Sequence, residues 1–459
     1  MYQIHFNQPV HIHFIGIGGI SMSGLAEILL EEHFTVSGSD STESELTRHL
    51  AASGAHIFYG QRAENITPEI DLVVYTAAVH TDNPEYQAAQ KAGIPMLSRA
   101  QLLGQMMNNY GQSAAIAGTH GKTTTTSMFS HILLAAGSDP TISVGGILPA
   151  IGGNIRVGHS EYFVTEACEY TNSFLEFFPR YSVILNIEED HLDFFKDLDD
   201  IRDSFRRFAS QTPADGTVIV NSAITEIHSL LEGIAACVVT FGPDRTSDFY
   251  PENISYSETG NAQFQIMHRG NKVCDAVLNV PGAHNISNAL AAAALAVQMR
   301  LPAEAVAEGL AAFGGTDRRF QLKGTRAGVT VIDDYAHHPT EITATLNAAA
   351  NYPHKRVLCV FQPHTYSRTK AFLNEFAESL SAADLVVLAD IYAARETDDL
   401  GISSKDILSG LKERGVESYY FSTFEKILEF LSKKTMNGDL LITMGAGDIL
   451  KVGESFLEL

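Results

Sequence analysis

Apolar runs one strand long alternate with stretches of helical spacing along most of the chain. The run from Val10 to Ile15 is followed by a segment of helical spacing at Ser21–Glu32. Similar runs recur at Tyr162–Thr165, Arg356–Phe361 and Leu385–Leu388. Strands that alternate with helices in this way are typical of βαβ units, in which the strands are parallel. The pattern therefore predicts an α/β protein with largely parallel sheets.

Two polar, glycine-containing segments divide this pattern into three blocks. Met107–Ser113 is the first such segment and Gly314–Arg319 is the second, and both are typical of linkers. We therefore predict three domains, at residues 1–107, 108–315 and 316–459. A length of 459 residues agrees, since one domain usually spans ~150 residues.

One segment of the second block departs from the βα alternation. Between Ile254 and Val280 the chain shows short alternating runs separated by Gly260-Asn261 and Gly270-Asn271. Such glycine-containing pairs favour tight turns between antiparallel strands. The segment predicts a small antiparallel appendage on the central domain.

The composition is that of a folded protein, with 45% apolar and 19% charged residues. The net charge of −23 argues against nucleic acid as a partner, because such proteins need clustered Lys and Arg. The N-terminus lacks the pattern of a signal peptide, and the longest apolar run, Ala289–Val297, is too short to span a bilayer. The scattered cysteines show no metal-type spacing. We expect a reduced, cytoplasmic protein without membrane insertion.

The strongest chemical signal is a glycine loop between a predicted strand and a predicted helix. The segment reads Gly118-Thr-His-Gly-Lys-Thr-Thr124, and it follows the apolar run Ala114–Ala117. Its spacing is shorter than the common G-x-x-x-x-G-K-[ST] form, since position 116 is Ile. Glycines let backbone N–H groups converge on a phosphate, and a helix N-terminus adds a favourable partial charge. The loop predicts a nucleoside triphosphate site in which Lys122 reaches the terminal phosphates and Thr123 binds Mg²⁺.

A second glycine turn lies near the N-terminus. Gly16-Ile-Gly-Gly-Ile-Ser21 follows a strand and opens a helix, and Asp40 ends the next strand. The turn is similar to a dinucleotide fingerprint, although Ser21 replaces the third glycine. It suits the pyrophosphate of NAD, FAD or a UDP-sugar equally. A purely structural role for the turn, without a ligand, is a further alternative. Two such turns in separate blocks suggest two nucleotides.

Acidic residues follow two strands of the central block. Glu166 comes after the run Tyr162–Thr165, and His191 closes a segment after the next strand. Carboxyl ends of parallel strands meet at one edge, so both should face the phosphate loop. Mg²⁺ prefers hard oxygen ligands, which Thr123 and Glu166 supply, and His191 suits a second position or a phosphate oxygen. The intervening Glu188, Glu189 and Asp190 are expected to be solvated loop charges.

The last block carries its polar residues at strand ends. Arg318 and Arg319 precede it, Asp333-Asp-Tyr-Ala-His-His-Pro-Thr340 follows one strand, and Phe361-Gln-Pro-His-Thr-Tyr-Ser-Arg-Thr369 follows another. One of the two arginines is placed to reach a γ-phosphate, where a guanidinium stabilises charge. Within His284-Asn-Ile-Ser-Asn288, the amides suit either a helix cap or an adenine edge, and the residues leave this choice open.

Taken in order along essentially the whole chain, these motifs resemble those of the Mur ligases of peptidoglycan synthesis. The most discriminating are the phosphate loop, Asp333–Pro339 and Phe361–Thr369. The resemblance implies a Rossmann-like N-terminal domain for a UDP-sugar, a central P-loop ATPase-like domain, and a Rossmann-like C-terminal domain that receives an amino acid. Tyr170 and Thr171 depart from the further acidic residues that many members carry after the Glu166 motif.

The resemblance also implies roles for individual residues. The implied ATP-binding residues are Gly118, Thr119, His120, Gly121, Lys122, Thr123, Thr124, His284, Asn285, Asn288 and Asp334. The implied metal ligands are Thr123, Glu166 and His191. The UDP-sugar would contact Gly16, Gly18, Gly19, Ser21 and Asp40. The implied catalytic residues are Lys122, Arg319, Tyr335, His337, His364 and Arg368, with His337 as the candidate base.

The activity implied is ATP- and Mg²⁺-dependent joining of L-alanine to the carboxylate of UDP-N-acetylmuramate through an acyl phosphate. The sequence leaves three alternative functions to be considered. One is the family branch that adds a tripeptide to the same sugar, against which Phe361–Thr369 argues. Another is an NAD-dependent oxidoreductase built on Gly16–Gly19, which leaves Lys122 without a purpose. The third is a nucleotide-driven switch. The sequence indicates no particular protein partner.

Overall fold

Three β-sheets follow one another along the chain in the computed structural model, which describes residues 2–76, 78–394, 396–397 and 400–459. The α/β architecture with three sheet-forming units confirms the predicted fold class. The predicted boundaries at 107/108 and 315/316 stay predictions. They fall at the end of one helix and in a loop, respectively. Within the described residues, no helix combines the length and apolarity that crossing a membrane requires.

The first sheet has five parallel strands in the order β3-β2-β1-β4-β5. Its elements are β1 (His11–Ile15), α1 (Ile20–Glu31), β2 (Thr35–Asp40), α2 (Glu45–Ala52), β3 (His56–Tyr59), β4 (Leu72–Tyr75), α3 (Pro84–Ala92), β5 (Met96–Ser98) and α4 (Arg99–Met107). The predicted first strand and helix lie within one residue of β1 and α1. The strand order reverses between β1 and β4, which leaves a crevice at the carboxyl ends of these two strands. Open α/β sheets bind their ligands in a crevice of this kind.

The second sheet has ten strands in the order β15-β14-β13-β12-β11-β10-β6-β9-β7-β8. Its strands are β6 (Gln112–Ala117), β7 (Thr141–Leu148), β8 (Gly153–Arg156), β9 (Tyr162–Ala167), β10 (Tyr181–Ile184), β11 (Thr217–Asn221), β12 (Cys237–Phe241), β13 (Phe249–Tyr256), β14 (Asn261–His268) and β15 (Asn271–Pro281). Its helices are α5 (Lys122–Ala135), α6 (Leu198–Ser210), α7 (Ile227–Leu231), α8 (His284–Gln298) and α9 (Ala303–Ala312). The antiparallel appendage is confirmed as β13, β14 and β15, although it continues the main sheet through a parallel contact with β12.

The third sheet has six strands in the order β16-β17-β21-β18-β19-β20. Its strands are β16 (Gln321–Arg326), β17 (Val329–Asp334), β18 (Arg356–Phe361), β19 (Leu385–Leu388), β20 (Glu417–Tyr420) and β21 (Asp439–Met444). Its helices are α10 (Pro339–Ala350), α11 (Tyr366–Ala371), α12 (Leu373–Leu380), α13 (Ser404–Glu413), α14 (Phe424–Lys434) and α15 (Leu450–Glu458). The sequence pattern does not predict β16 and β20. Both are edge strands, and half-exposed edges carry too many polar residues to read as apolar runs.

Strand β6 lies at the centre of the site-forming edge. It pairs in parallel with β9 on one side and β10 on the other, and Ala117 stands opposite both Ala167 and Ile184. The segments that leave these three strands therefore emerge side by side. This confirms that Glu166 and the segment before His191 face the phosphate loop. Helix α8 packs against α5, β11, β12 and β13, and its alanines from Ala289 to Ala296 are buried, because small side chains permit close approach to the sheet.

Candidate active site

The glycine loop turns from β6 into α5 at positions that require glycine. Gly118 has a φ of +151° and Gly121 a φ of +83°, and L side chains rarely adopt such conformations. A Cβ on Gly121 would also lie 2.7 Å from Oδ1 of Asn288. Asn186 pins the loop, since its Oδ1 accepts from the His120 N–H at 2.8 Å and its Nδ2 donates to the His120 carbonyl at 3.0 Å. The loop is thus held open at the start of a helix, as phosphate binding requires.

The Lys122 ammonium is held inside this loop. It donates to the carbonyl oxygens of Gly118 and Thr119 and to Glu169 Oε2, the last at 2.9 Å. Burial lowers the pKa of Lys122, but the attraction of Glu169 outweighs it, so the net pKa is raised. Glu169 is only 3% exposed and supplies the counter-charge. The ammonium is therefore charged and oriented before any phosphate arrives.

Two of the three predicted metal ligands are in direct contact. The Thr123 hydroxyl donates to Glu166 Oε2 at 3.0 Å, and the Gly145 N–H donates to the other carboxylate oxygen. Burial raises the pKa of Glu166 in spite of these hydrogen bonds. A cation here would favour the ionised carboxylate, and the oxygens offered are hard. The donor set fits Mg²⁺.

The third predicted ligand, His191, lies beyond Glu169. Its Nε2 is 3.9 Å from Glu169 Oε1, and its ring lies 4.5 Å from that of Tyr170 between centroids. Burial lowers the pKa of His191, which favours the neutral imidazole that metal ligation needs. Glu169 thus connects Lys122 to His191, a link that the sequence does not indicate.

A cavity of about 270 Å³ opens beside the loop, between the central and C-terminal sheets. Eight predicted residues line it: His120, Gly121, Thr124, His284, Asn285, Asn288, Arg319 and Asp334. Apolar side chains, among them Leu185, Val280 and Phe313, complete the wall. Polar groups converging on a largely apolar cavity are typical of a nucleotide site.

The amides at the start of α8 do not cap the helix. Ala283 occupies the N-cap position, whereas Asn285 Nδ2 donates to the Pro281 carbonyl at 2.7 Å and Asn288 Nδ2 donates to Asn285 Oδ1 at 3.0 Å. Burial lowers the pKa of His284 to about 4, so its imidazole is neutral. Of the two roles left open by the sequence, capping is excluded, and adenine contact stays a prediction.

The two neighbouring arginines have different roles. Arg318 donates to Asp333 Oδ2 at 2.9 Å and to two backbone carbonyls, Gly445 and Gly447. Its guanidinium is therefore structural. Arg319 instead lines the cavity, 3.8 Å from Glu341 Oε1. The position of Arg319 suits contact with a terminal phosphate.

Asp334 lies at the end of β17 on the cavity wall. Its two carboxylate oxygens accept from the N–H groups of Phe320 and Ala336 at 2.7 and 2.8 Å. Burial raises the pKa of Asp334 to about 6. These bonds fix the chain where the central and C-terminal units meet.

A second cavity, of about 580 Å³, adjoins His191. His364 and Arg368 line it, and Arg368 Nη1 lies 3.3 Å from His364 Nδ1, as their spacing predicts. Arg368 also donates twice to Asp190 Oδ1, at 3.1 and 2.7 Å. The expectation that Asp190 is a solvated charge is wrong, since Asp190 is 7% and Arg368 8% exposed. The sequence cannot reveal this pair, because its members are far apart along the chain.

His337 contacts one residue of each cavity wall, Glu341 of the first and His364 of the second. Its Nδ1 faces the Tyr335 carbonyl at 3.0 Å and Glu341 Oε2 at 3.1 Å. Both are acceptors, so the proton belongs on Nδ1 and the lone pair on Nε2. Its ring centroid lies 5.7 Å from that of His364. The Tyr335 ring faces the Arg319 guanidinium at 5.4 Å.

The structure also adds functional candidates that sequence reasoning missed. Glu341 contacts His120, His337 and Arg319. Thr340 donates to Glu188 Oε2 at 2.6 Å, so Glu188 is not a freely solvated charge either. The available signal for Glu341 was its position directly after the polar segment Asp333–Thr340, in the first turn of α10.

The N-terminal glycine turn is stabilised by Asp40. Gly16 has a φ of +83°, and the Gly18 N–H donates to Asp40 Oδ2 at 2.8 Å. The other oxygen of Asp40 accepts from the Ser41 N–H. Gly19 caps α1, and Ser21 is exposed beside it. The turn is preformed at the carboxyl end of β1, and its ligand stays a prediction.

Known proteins share this architecture. The chain is 64% identical to the UDP-N-acetylmuramate–L-alanine ligase of Agathobacter rectalis and 59% identical to that of Lachnospira eligens, with 100% of each chain covered. Among solved structures, it is similar to a UDP-N-acetylmuramate-alanine ligase from Thermotoga maritima, with a TM-score of 0.78, 31% identity and 98% of each chain covered. A murein peptide ligase from Psychrobacter arcticus gives a TM-score of 0.68 and 26% identity over 98% of each chain.

Family models match all three units. The Mur ligase family catalytic domain matches residues 11–111, the Mur ligase middle domain matches residues 116–296, and the Mur ligase glutamate ligase domain matches residues 318–447. Together with the full-length relatives, these matches assign the whole chain. The protein belongs to the Mur ligase family.

Proposed function

We propose that the protein joins L-alanine to the carboxylate of UDP-N-acetylmuramate at the expense of ATP, in the synthesis of peptidoglycan precursors. The observation that carries the proposal is the phosphate loop. It opens on a cavity between two sheets that Arg319 also lines, and its Lys122 ammonium is held in the loop by Glu169. The relative from Agathobacter rectalis, 64% identical over the whole chain, bears the name of this activity. ATP and Mg²⁺ are the proposed cofactors, and the cytoplasm is the proposed location.

The first step activates a poor acyl donor. A muramoyl carboxylate oxygen attacks the γ-phosphorus, the bond to the β,γ-bridging oxygen breaks, and ADP leaves with the electron pair. Charge accumulates on the transferred group, and positioned cations are the main means of stabilising it. Lys122 and Arg319 are the side chains placed for this task.

Metal binding is assigned to Thr123 and Glu166, with His191 at a second position. Bound Mg²⁺ would neutralise phosphate charge and orient the oxygens for in-line transfer. The fit rests on the contact between the Thr123 hydroxyl and Glu166, and on the neutral imidazole of His191.

The second step forms the amide. The L-alanine nitrogen attacks the acyl carbon, and phosphate leaves from the tetrahedral intermediate with the electron pair of the C–O bond. The amine must lose a proton, and we assign this role to His337, whose Nε2 carries the lone pair. His364 and Arg368 line the adjoining cavity, where the amino acid would enter.

Phosphate release tests the proposal. The purified protein would be mixed with ATP, Mg²⁺ and UDP-N-acetylmuramate, and then with L-alanine, glycine, L-serine or the tripeptide singly. We expect release that needs both the sugar nucleotide and L-alanine, with a product heavier by one alanine residue.

Other outcomes would reassign the protein. Release with the sugar nucleotide and the tripeptide, but not with L-alanine, would place it in the family branch that adds a tripeptide to the same sugar. Release that does not require the sugar nucleotide would indicate a nucleotide-driven switch. Lys122→Ala, which should lower release by ~10²–10³-fold, controls for a contaminating ATPase. His337→Ala with normal turnover and an unchanged pH profile would remove the base assignment.

A further inference from the structure

Candidate catalytic residues of two domains converge on one carboxylate, that of Glu341. Its Oε1 lies 3.2 Å from Nδ1 of His120 and 3.8 Å from Nη1 of Arg319. Its Oε2 accepts from the backbone N–H of His337 at 3.0 Å and lies 3.1 Å from Nδ1 of the His337 imidazole. His120 belongs to the phosphate loop of the central unit, whereas the other three belong to the C-terminal unit. Glu341 therefore connects the phosphate loop with Arg319, the arginine proposed to contact the γ-phosphate, and with His337, the candidate base.

His120 carries the positive charge in this contact. Its Nε2 lies 3.5 Å from Glu188 Oε2, which is long for a hydrogen bond, so this attraction is mainly electrostatic. Burial lowers the pKa of His120, but Glu188 and Glu341 more than offset this and raise it to about 9. A protonated imidazole between two carboxylates, one from each unit, binds the two units together.

A metal ion is the alternative explanation for this cluster, since His120, Glu188 and His338 offer atoms within 4.8 Å of one another. The hydrogen bonds of His338 argue against it. Its Nδ1 accepts from the Thr340 N–H at 3.3 Å, so Nε2 carries the proton and donates to the Glu189 carbonyl at 3.0 Å. Both nitrogens of His338 are thus engaged, and a cationic His120 repels a metal.

The neighbouring contacts also join the central unit to the C-terminal unit. Three consecutive residues of the central unit accept hydrogen bonds from the C-terminal unit. Glu188 accepts from Thr340, the Glu189 carbonyl accepts from His338, and Asp190 accepts from Arg368. This row holds the start of α10, and with it Glu341, against the phosphate loop. Separation of the two units would remove His120, which is the counter-charge of the buried Glu341 carboxylate. This loss is costly unless water solvates the carboxylate. A partly docked arrangement is therefore disfavoured.

We propose that Glu341 and His120 form an interdomain clasp, in which Glu341 is a positioning residue that assembles the catalytic groups only when the C-terminal domain is docked. Glu341 thereby holds Arg319 and His337 beside the loop that binds the nucleotide. The inference rests on the proposed ligase function for its kinetic consequences, although docking itself can be measured without turnover.

The kinetic test is a double-mutant cycle with Glu341→Gln, His120→Gln and the double variant. Each single variant should lower kcat at least tenfold and leave the KM for the sugar nucleotide within twofold. The double variant should lose no more than the worse single variant, because both remove the same contact. Losses that multiply, or single variants within twofold of wild-type kcat, would overturn the clasp. Glu429→Gln, in an exposed ion pair with Lys433 on α14, is the matched control.

The structural test measures compaction by small-angle X-ray scattering with a non-hydrolysable ATP analogue. The wild type and Glu429→Gln should compact, and His120→Gln should not. Compaction of His120→Gln equal to that of the wild type would overturn the proposal. This variant keeps the test decisive even where Glu341→Gln fails to fold. Wild-type turnover tests the proposed function and compaction tests the clasp, so the two can fail separately.

Discussion

Loss of the negative charge at Asp190 should open the docked arrangement without unfolding either unit. Arg368 donates to a single oxygen of Asp190 through two nitrogens, at 3.1 and 2.7 Å, and both side chains are buried. Asp190→Asn keeps that oxygen and removes the charge. The guanidinium then lies against a neutral amide, in a place where water cannot fully solvate it.

The magnitude follows from the geometry. Removing one partner of a buried ion pair costs ~3–5 kcal/mol. Asn retains the acceptor, so the loss is closer to the difference between charged and neutral hydrogen bonds, about 1 kcal/mol for each of the two bonds and about 2 kcal/mol together. Since ~1.4 kcal/mol is a factor of ten, the docking equilibrium should shift by about 30-fold toward the open form.

Docking is best followed by the distance between two fluorophores, one on the exposed face of α6 and one on that of α14. Asp190→Asn should need about 30-fold more nucleotide analogue to reach the same fraction docked. Adding Arg368→Gln should restore part of the loss, because no unpaired charge remains buried. Asp203→Asn, in an exposed pair with Arg206, is the control. A titration within twofold of the wild type would refute the reasoning, as would an equal loss of thermal stability in both units.

Three further predictions follow from the same contacts. Lys122→Ala should lower phosphate release by ~10²–10³-fold at saturating ATP, since an oriented cation is lost where charge develops; an effect below tenfold would contradict its role. Glu166→Gln should raise the Mg²⁺ concentration for half-maximal rate by ~10–100-fold in a metal titration, whereas an unchanged titration would place the metal elsewhere. Because the pKa of His120 is raised from 6.5 to about 9, its contribution to docking is fully present below pH 6.5 and lost as the pH rises through about 9. Docking measured from pH 6.5 to 9.5 should weaken in the wild type and stay flatter in His120→Gln.

The sequence by itself determined the features that depend on local pattern. Gly118 and Gly121 with Lys122 between a strand and a helix can serve few purposes, and the phosphate loop was recognisable from these residues and the elements that flank them, although its spacing is shorter than the common form. The same holds for the antiparallel strands that are joined by the turns at Gly260 and Gly270, and for the polar residues placed at the ends of buried strands. In each case the information lies within about ten consecutive residues, where backbone geometry and side-chain type act together.

Only the tertiary structure decided which of these residues contact one another. Arg318 and Arg319 are adjacent and alike in sequence, yet one is bound to Asp333 and the other lines the cavity. In the sequence Asp190 is indistinguishable from a solvated loop charge, and only the fold brings Arg368 into contact with it. Such pairings depend on the approach of distant segments, and the desolvation that makes them strong arises only when the units dock. Local sequence determines which groups are available, and packing determines which of them are buried, charged and paired.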